Sequence, residues 1–140
     1  MSPSRKIHFV ASEVENADSA MAALQAQYGQ HELDQSDVIV ALGGDGFMLR
    51  TLHRFLPAGL PVYGMKLGKV GFLMNRFRED DLQKRLDEAD VVELNPLCMI
   101  AMTEAGNESK ALAINEVSLL RQLNQAAHIR ILVNLSLIHI

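Results

Sequence analysis

The sequence predicts an α/β fold with a parallel sheet, followed by the start of an antiparallel β domain. Apolar runs of strand length alternate with segments of helical period between residues 7 and 89, which is the βαβ pattern of a parallel sheet. One of these runs, Val38–Leu42, is apolar throughout, as expected for a strand that is buried on both faces. After Pro96 the pattern changes to strand, turn and strand without a helix, which indicates an antiparallel region.

The N-terminal segment predicts a strand, a helix and a loop. Ile7–Ala11 has the length and apolar content of a strand. Ser12 and Glu15 form a Ser-x-x-Glu capping box, which predicts that a helix begins directly after it. One helical face is formed by Ala17, Ala20, Met21, Leu24 and Tyr28. Residues 27–36 are polar and are predicted to be a loop that leads into the second strand.

Two further helices and a third strand are predicted beyond the second strand. The first of these helices follows Gly46 and ends at Pro57. Its apolar side is formed by Met48, Leu52, Phe55 and Leu56. Leu60–Met65 is a third run of strand length, and residues 64–73 form a second glycine-rich loop. Arg78–Ala89 is predicted to be helical, with acidic residues in its first turn. Its apolar face is formed by Leu82 and Leu86.

The antiparallel region contains three candidate strands, which are Leu97–Glu104, Ala111–Leu120 and Ile129–Val133. We predict two units, residues 1–95 and residues 96–140, of which the second is an incomplete β domain. Cys98 is the only cysteine, so the chain cannot form an internal disulfide. It lies in an apolar run, and we expect it to be buried. We also expect two neighbouring methionines to be core residues, Met99 and Met102.

Composition excludes several classes of function. The 140 residues suffice for one ordinary domain, or for one domain and part of another, and 49% hydrophobic with 21% charged residues is typical of soluble globular proteins. A formal charge of −4 without a Lys/Arg stripe argues against a nucleic-acid partner. The apolar runs are too short to span a membrane, and no signal-peptide core precedes the first strand. We therefore expect a cytoplasmic protein with no membrane partner.

The segment Gly43-Gly44-Asp45-Gly46 carries the strongest functional signal. Glycines permit positive φ angles and close approach of a ligand to the backbone, and the start of the next helix offers unpaired N–H groups. Such a loop binds phosphate, with Gly43 and Gly44 at its centre. A carboxylate is unfavourable beside phosphate unless it holds a metal ion or accepts a proton from a hydroxyl, which makes Asp45 a candidate catalytic residue. The alternative is a hairpin turn at Asp-Gly, but the residues after Gly46 have helical spacing.

Three motifs in order resemble the NAD kinases. Gly43–Gly46 followed by Met48-Leu49 is similar to the family signature, and Gly64–Leu73 is similar to its Gly-x-x-x-Gly-x-x-Gly-Phe-Leu loop. Ala113–Val117 contains the Asn-Glu pair of the opening strands of the family's β domain. The first motif alone is shared with phosphofructokinases and with diacylglycerol or sphingosine kinases. Together the motifs imply an NAD kinase/diacylglycerol kinase-like fold, and an enzyme that transfers a phosphoryl group from ATP or polyphosphate to the 2′-hydroxyl of NAD's adenosine ribose.

The resemblance also implies roles for individual residues. Asp45 would be the base, or the carboxylate that positions the ribose hydroxyl, and Gly46 would contact the dinucleotide through its backbone. Asn115 and Glu116 would hydrogen-bond NAD, although a polar bend at a strand edge is the alternative interpretation of this pair. Arg50 lies one helical turn beyond Gly46 and can lean back toward bound phosphates, or it is an ordinary exposed helix residue.

Mg²⁺ or another divalent metal is the cofactor that phosphoryl transfer implies, with NAD and ATP or polyphosphate as substrates. The histidines show no spacing typical of a metal site, so no protein ligand to a metal is predicted. The helix dipole accounts for Asp80-Asp81 better than metal binding does. The resemblance implies small-molecule nucleotide partners and a homo-oligomer for the full-length enzyme.

The chain departs from the family pattern in two places. Lys66 stands where the family usually has Asn, and it either adds positive charge near phosphate or lies on the surface. Residues 134–140 do not match the family's continuation, and its Thr-Pro-x-Gly-Ser-Thr-Ala-Tyr-type loop is not in the sequence. We therefore expect the first half of an NAD kinase, inactive by itself. The alternatives are a diacylglycerol- or sphingosine-type lipid kinase, and a dinucleotide-binding remnant without turnover.

Overall fold

The structure, a computed structural model, describes residues 4–68, 71–122, 126, 128–134 and 136–138. Its larger part is a parallel sheet of four strands in the order β1-β2-β3-β4, with helices in the first two connections. The strands are β1 (Ile7–Ala11), β2 (Val38–Gly43), β3 (Val62–Lys66) and β4 (Asn75–Arg76). The helices are α1 (Ala17–Tyr28), α2 (Asp45–Phe55) and α3 (Leu82–Asp87). The predicted α/β class and its parallel sheet are confirmed.

Strand β2 is the centre of the sheet because it pairs with β1 on one side and β3 on the other. All of its residues are buried, as its uninterrupted apolar sequence predicts. The register places Val40 between Phe9 of β1 and Tyr63 of β3. The core that surrounds the sheet includes Ile7, Phe9, Leu24, Val40, Leu42, Met65, Leu82 and Leu86.

Helix α1 packs its predicted face on this sheet but does not use the predicted cap. Ala17 and Leu24 are fully buried, whereas the residue before the helix is Asn16, with φ 67° and no side-chain capping bond. Ser12 lies well before the helix, and its backbone N–H donates to the Leu42 carbonyl at 2.9 Å. The capping-box prediction is wrong because Ser12 extends the β1–β2 pairing instead of opening the helix.

Helix α2 begins at Asp45, earlier than the sequence predicted. Asp45 and Gly46 therefore belong to its first turn and not to the loop before it. The helix ends at Phe55, and a short 3₁₀ turn (Leu56–Ala58) that contains Pro57 closes on Gly59 at φ 63°. Its predicted apolar side is half-buried, and the buried residue of the helix is Thr51.

Helix α3 is shorter than predicted. Leu82 and Leu86 are buried as expected, but the acidic residues precede the helix. Asp80 forms an ion pair with Arg78 at 2.6 Å, and the Arg85 guanidinium donates to the carbonyls of Arg78 and Asp80. Helix α3 begins only at Leu82, so the prediction that acidic residues lie in its first turn is wrong, whereas the dipole interpretation of Asp80-Asp81 stays a prediction.

Beyond the sheet, an antiparallel hairpin pairs β5 (Leu97–Met102) with β6 (Glu108–Ala113). Its turn closes through Thr103 and Asn107, with Gly106 at φ 82°. The antiparallel prediction is confirmed, although β6 begins earlier than the predicted strand and ends well before Leu120. The third candidate strand does not join this sheet. It contains β7 (Ile131–Val133), which pairs with β8 (Ser136–Ile138) across a turn at Asn134.

Both faces of the β5–β6 hairpin are open to solvent in the part of the chain that the structure describes. Ile100 is 60% exposed and Met102 is 71% exposed. Cys98 is exposed as well, so the predictions that Cys98 and Met102 lie in a core are wrong. Met99 is half-buried. Apolar sequence alone does not bury a strand that has no packing partner. No helix among the described residues is both long and apolar enough to cross a membrane.

Candidate functional site

The two glycine-rich loops meet at one edge of the sheet. Gly43 ends β2 and pairs in register with Lys66, which ends β3. The N–H of Leu67 donates to the Gly43 carbonyl at 3.3 Å, which continues the pairing into the loops. The carboxyl edge of parallel strands is the usual place for a ligand in an open α/β sheet. Lys69 and Val70 of the second loop lie outside the described residues.

The carboxylate of Asp45 joins these loops. Its Oδ2 accepts a hydrogen bond from the Phe72 N–H at 2.8 Å, and its Oδ1 accepts one from the Leu73 N–H at 3.0 Å. These two bonds lower the pKa of Asp45 below its ordinary value, and the positive charge of Lys66 acts in the same direction. Asp45 is therefore ionised at neutral pH. Two backbone donors and a helix N-terminus favour the charge of Asp45 in this loop, whereas its behaviour beside bound phosphate stays a prediction.

The glycines of the first loop have separate structural reasons. None of Gly43, Gly44 and Gly46 has a positive φ, so the predicted use of left-handed backbone is wrong. A Cβ on Gly43 would lie 2.9 Å from Phe47 Cβ and 2.9 Å from Ser12 Oγ, so that position has no room for a side chain. A Cβ on Gly44 or Gly46 would meet nothing within 4 Å. The backbone at these two residues is thus open to a ligand.

Lys66 lies beside Asp45. A Cβ on Gly71 would be 3.3 Å from Asp45 Oδ1 and 3.4 Å from Lys66 Cδ, so both side chains lie against Gly71 of the second loop. Lys66 is half-buried. The structure brings Lys66 beside Asp45, whereas a role near phosphate stays a prediction. Sequence reasoning missed the backbone donors at Phe72 and Leu73, because an N–H group has no residue-type signature.

Arg50 is exposed on α2, and its Cζ lies 5.8 Å from the centre of the Phe47 ring. Phe47 is one helical turn nearer the N-terminus, so the side chain leans in the expected direction. Contact between Arg50 and a phosphate stays a prediction.

Asn115 and Glu116 lie just beyond β6, not within a strand, and both are exposed. Leu112 of β6 is tied to α2, since its carbonyl lies 3.1 Å from His53 Nε2. Among the described residues no hydrogen bond joins Asn115 or Glu116 to Asp45, so a shared site for this pair and the loop stays a prediction. Sequence reasoning also missed the link through His53.

The described residues offer no resident metal site. They contain no group of three or more His, Cys, Asp and Glu side chains placed to hold a metal ion. Asp45 is the carboxylate nearest the loop glycines, and both of its oxygens already accept hydrogen bonds. Mg²⁺ is commonly bound through one or two carboxylates together with substrate phosphates, so this donor set fits a metal that arrives with a nucleotide.

Comparison with known proteins decides the family. Residues 4–92 match the family model of the ATP-NAD kinase N-terminal domain. The chain belongs to this family. It is similar to a protein named NAD kinase from Xylella fastidiosa, with 54% identity over 96% of this chain and 51% of the relative. NAD kinases of Xanthomonas campestris and Cereibacter sphaeroides are also 54% identical to it, over 92% and 96% of this chain and 51% and 52% of those proteins. The chain spans about half the length of the curated relatives it matches.

Proposed function

We propose that this chain is the N-terminal part of an NAD kinase that phosphorylates the 2′-hydroxyl of the adenosine ribose of NAD to make NADP. The observation that carries the proposal is the ionised Asp45 carboxylate, held at the open glycine loop on the carboxyl edge of the sheet, in a chain of this family. Such a position allows one side chain to meet both a hydroxyl and bound phosphates.

In this proposal Asp45 orients the ribose hydroxyl and accepts its proton late. A lowered pKa makes Asp45 a weak base, but a loose phosphoryl-transfer transition state needs little proton removal before the new bond forms. Positioning therefore contributes more than basicity. Two oxygens fixed by backbone N–H groups suit that task, because each still has a lone pair that can accept a hydrogen bond from the substrate.

The phosphate groups would lie at the first turn of α2. Gly44 and Gly46 leave their backbone open there, and the N-terminus of the helix favours anions. Lys66 and Arg50 would contribute positive charge from two sides of the loop. A divalent metal bound to the donor phosphates would neutralise their charge.

Asn115 and Glu116 are proposed to hydrogen-bond the NAD ribose, on the strength of the motif order. Among the described residues, Asn115 and Glu116 are both exposed, so their polar groups can reach a ligand. The division at residues 95 and 96, a cytoplasmic location and a homo-oligomeric enzyme are likewise proposals, which rest on the sequence pattern and the family resemblance.

A lipid kinase of the diacylglycerol or sphingosine type shares only the first motif. Family membership over residues 4–92, together with the second loop and the Asn-Glu pair, favours NAD as the acceptor. A dinucleotide-binding remnant would also bind NAD, but it would not phosphorylate it.

The test uses the purified full-length protein, which is the longer NAD kinase that this chain is proposed to begin. The protein is supplied with NAD, Mg²⁺ and either ATP or polyphosphate, and NADP is measured by coupled enzymatic reduction. NADP formation is expected, and parallel reactions with NADH and with each donor define specificity. Phosphorylation of diacylglycerol or sphingosine without NADP formation would overturn the proposal. Binding of NAD without any turnover would support the remnant instead.

A further inference from the structure

Among the described residues, the loop after β3 is attached to α2 through the side chain of Asp45. The N–H groups of Phe72 and Leu73 donate to the two carboxylate oxygens of Asp45, which is 27 and 28 residues away in sequence. Each oxygen takes one donor, at 2.8 and 3.0 Å. Two bonds to one carboxylate fix both the position and the direction of the loop backbone, as a single bond would not.

The side chains of this loop contribute little to its attachment. Phe72 is 92% exposed and Leu73 is 53% exposed. Firm packing begins only at Met74, which is 8% exposed and whose Sδ lies against Gly64, and at Asn75, whose side chain donates to the Gly64 carbonyl at 3.2 Å. Among the described residues, Asp45 is therefore the contact that holds residues 72–73.

The strength of this attachment depends on charge. An ionised carboxylate accepts stronger hydrogen bonds than its protonated form, and protonation also replaces one acceptor with a donor. Because the bonds lower the pKa of Asp45, their stabilising effect is fully present above its ordinary value of 3.8 and is lost as pH falls through the lowered value. Lys66 is the charged group that faces Asp45 from the neighbouring strand, and it favours the same ionised state.

We propose that Asp45 is a positioning residue for residues 71–73, in addition to its proposed contact with substrate. Its ionised carboxylate holds residues 71–73 against the first turn of α2, so that they form a wall of the site beside Asp45 and Lys66. The effect on NAD use rests on the proposed function, whereas the attachment of the loop does not. A loss of activity in an Asp45 variant then has two causes. The ribose hydroxyl loses its hydrogen-bond acceptor, and residues 71–73 are no longer held at the site.

The first experiment measures amide hydrogen exchange in the full-length protein and in its Asp45→Asn variant at neutral pH. Asparagine keeps the shape but offers one acceptor oxygen instead of two and no charge. Exchange at Phe72 and Leu73 is expected to accelerate by about 10-fold or more, the effect of losing hydrogen bonds to a charged group. Exchange in β2 is expected to stay as in the wild type, which shows that the variant is folded. Unchanged protection at both loop amides would overturn the inference.

The second experiment removes a donor and leaves Asp45 in place. Leu73→Pro lacks the N–H that bonds Oδ1, whereas the matched control Leu73→Ala keeps it. The pKa of Asp45, followed by carboxyl NMR, is expected to rise toward 3.8 in the proline variant only. Equal pKa values in the proline and alanine variants would contradict the inference, and this readout does not depend on whether Asp45→Asn folds.

The two proposals fail separately. If the wild-type protein forms no NADP, the proposed function is wrong, while the exchange and pKa results still judge the loop attachment. If the wild type forms NADP but the amides of Phe72 and Leu73 are equally protected from exchange in the wild type and in Asp45→Asn, only the positioning role is wrong.

Discussion

Strands β2 and β5 have similar apolar sequences in opposite surroundings. β2 (Val38–Gly43) is buried at every residue, whereas β5 (Leu97–Met102) is exposed at every residue except the half-buried Met99. β2 has a strand on each side and helices packed over it, and β5 has one partner strand in the described part of the chain. Burial is thus set by the neighbours that the chain supplies and not by the apolar content of the strand. The same contrast divides the candidate site, since Asp45 begins the helix that follows the enclosed strand β2, and Glu116 follows the open hairpin.

The largest expected effect concerns residues 1–140 prepared alone. We expect no measurable NADP from this chain with Mg²⁺ and either donor, because the Asn115-Glu116 segment follows a hairpin whose faces are open in the described part of the chain. Exposed apolar faces and strand edges also favour association with other molecules. The assay is coupled NADP detection on a monomeric fraction, with full-length protein as the control. An ordinary enzymatic rate from residues 1–140 would show that the hairpin side is already complete.

The second prediction compares the two strands directly. Ile39→Ala removes a fully buried side chain and should lower the free energy of unfolding by ~2–5 kcal/mol. The matched change Ile100→Ala removes a side chain that is 60% exposed. It should change the free energy of unfolding by less than about 0.5 kcal/mol. Urea unfolding followed by circular dichroism measures both. A large loss in Ile100→Ala would mean that the hairpin is packed in solution.

These contrasts also show what the sequence could predict. The bounds of β1, most of β2 and the buried face of α1 were predictable, because strand length, uninterrupted apolarity and helical spacing are local signals. Ser12 misled because its backbone pairs with Leu42, a contact that only the sheet creates. The hydrogen-bond partners of Asp45 were not predictable either, since they are backbone groups in a distant loop.

The antiparallel pairing of β5 with β6 was predicted from the sequence, but the neighbour of the third strand was not. Exposure of Cys98 depends on what covers the hairpin, which its own sequence does not encode. The third strand was assigned to the wrong neighbour because the left-handed turn at Asn134 pairs β7 with the segment that follows it. Motif order identified Asp45, Asn115 and Glu116 as candidates, but it carried no information on their separation.

A smaller effect is expected on the hairpin side of the site. In the full-length protein, Glu116→Ala should raise KM for NAD by about 10-fold, the effect of one hydrogen bond to a charged group, and should leave KM for ATP almost unchanged. Glu108→Ala, at the exposed start of β6, is the matched control. Steady-state kinetics with each substrate varied in turn measures the KM for NAD and the KM for ATP. Equal increases in both KM values would remove Glu116 from the ribose contact.

The smallest effect concerns the packing of α1 on the segment before α3. The Tyr28 hydroxyl donates to the Glu79 carbonyl at 2.7 Å and accepts from the Leu82 N–H at 3.1 Å. Tyr28→Phe should therefore cost ~1 kcal/mol in the free energy of unfolding. Tyr63→Phe is the control, because no hydrogen bond of the Tyr63 hydroxyl is found among the described residues. Equal urea midpoints for the two variants would show that the Tyr28 bonds add nothing to stability.

NADP formation by the full-length protein and its Asp45→Asn variant tests most directly whether Asp45 orients the ribose hydroxyl of NAD for phosphorylation. The account predicts that the wild type makes NADP and that the variant loses at least ~10²-fold in kcat/KM, since it lacks the charge and one acceptor that orient the ribose hydroxyl. Circular dichroism and exchange in β2 confirm that both proteins are folded. A folded Asp45→Asn variant with the wild-type rate would contradict the account.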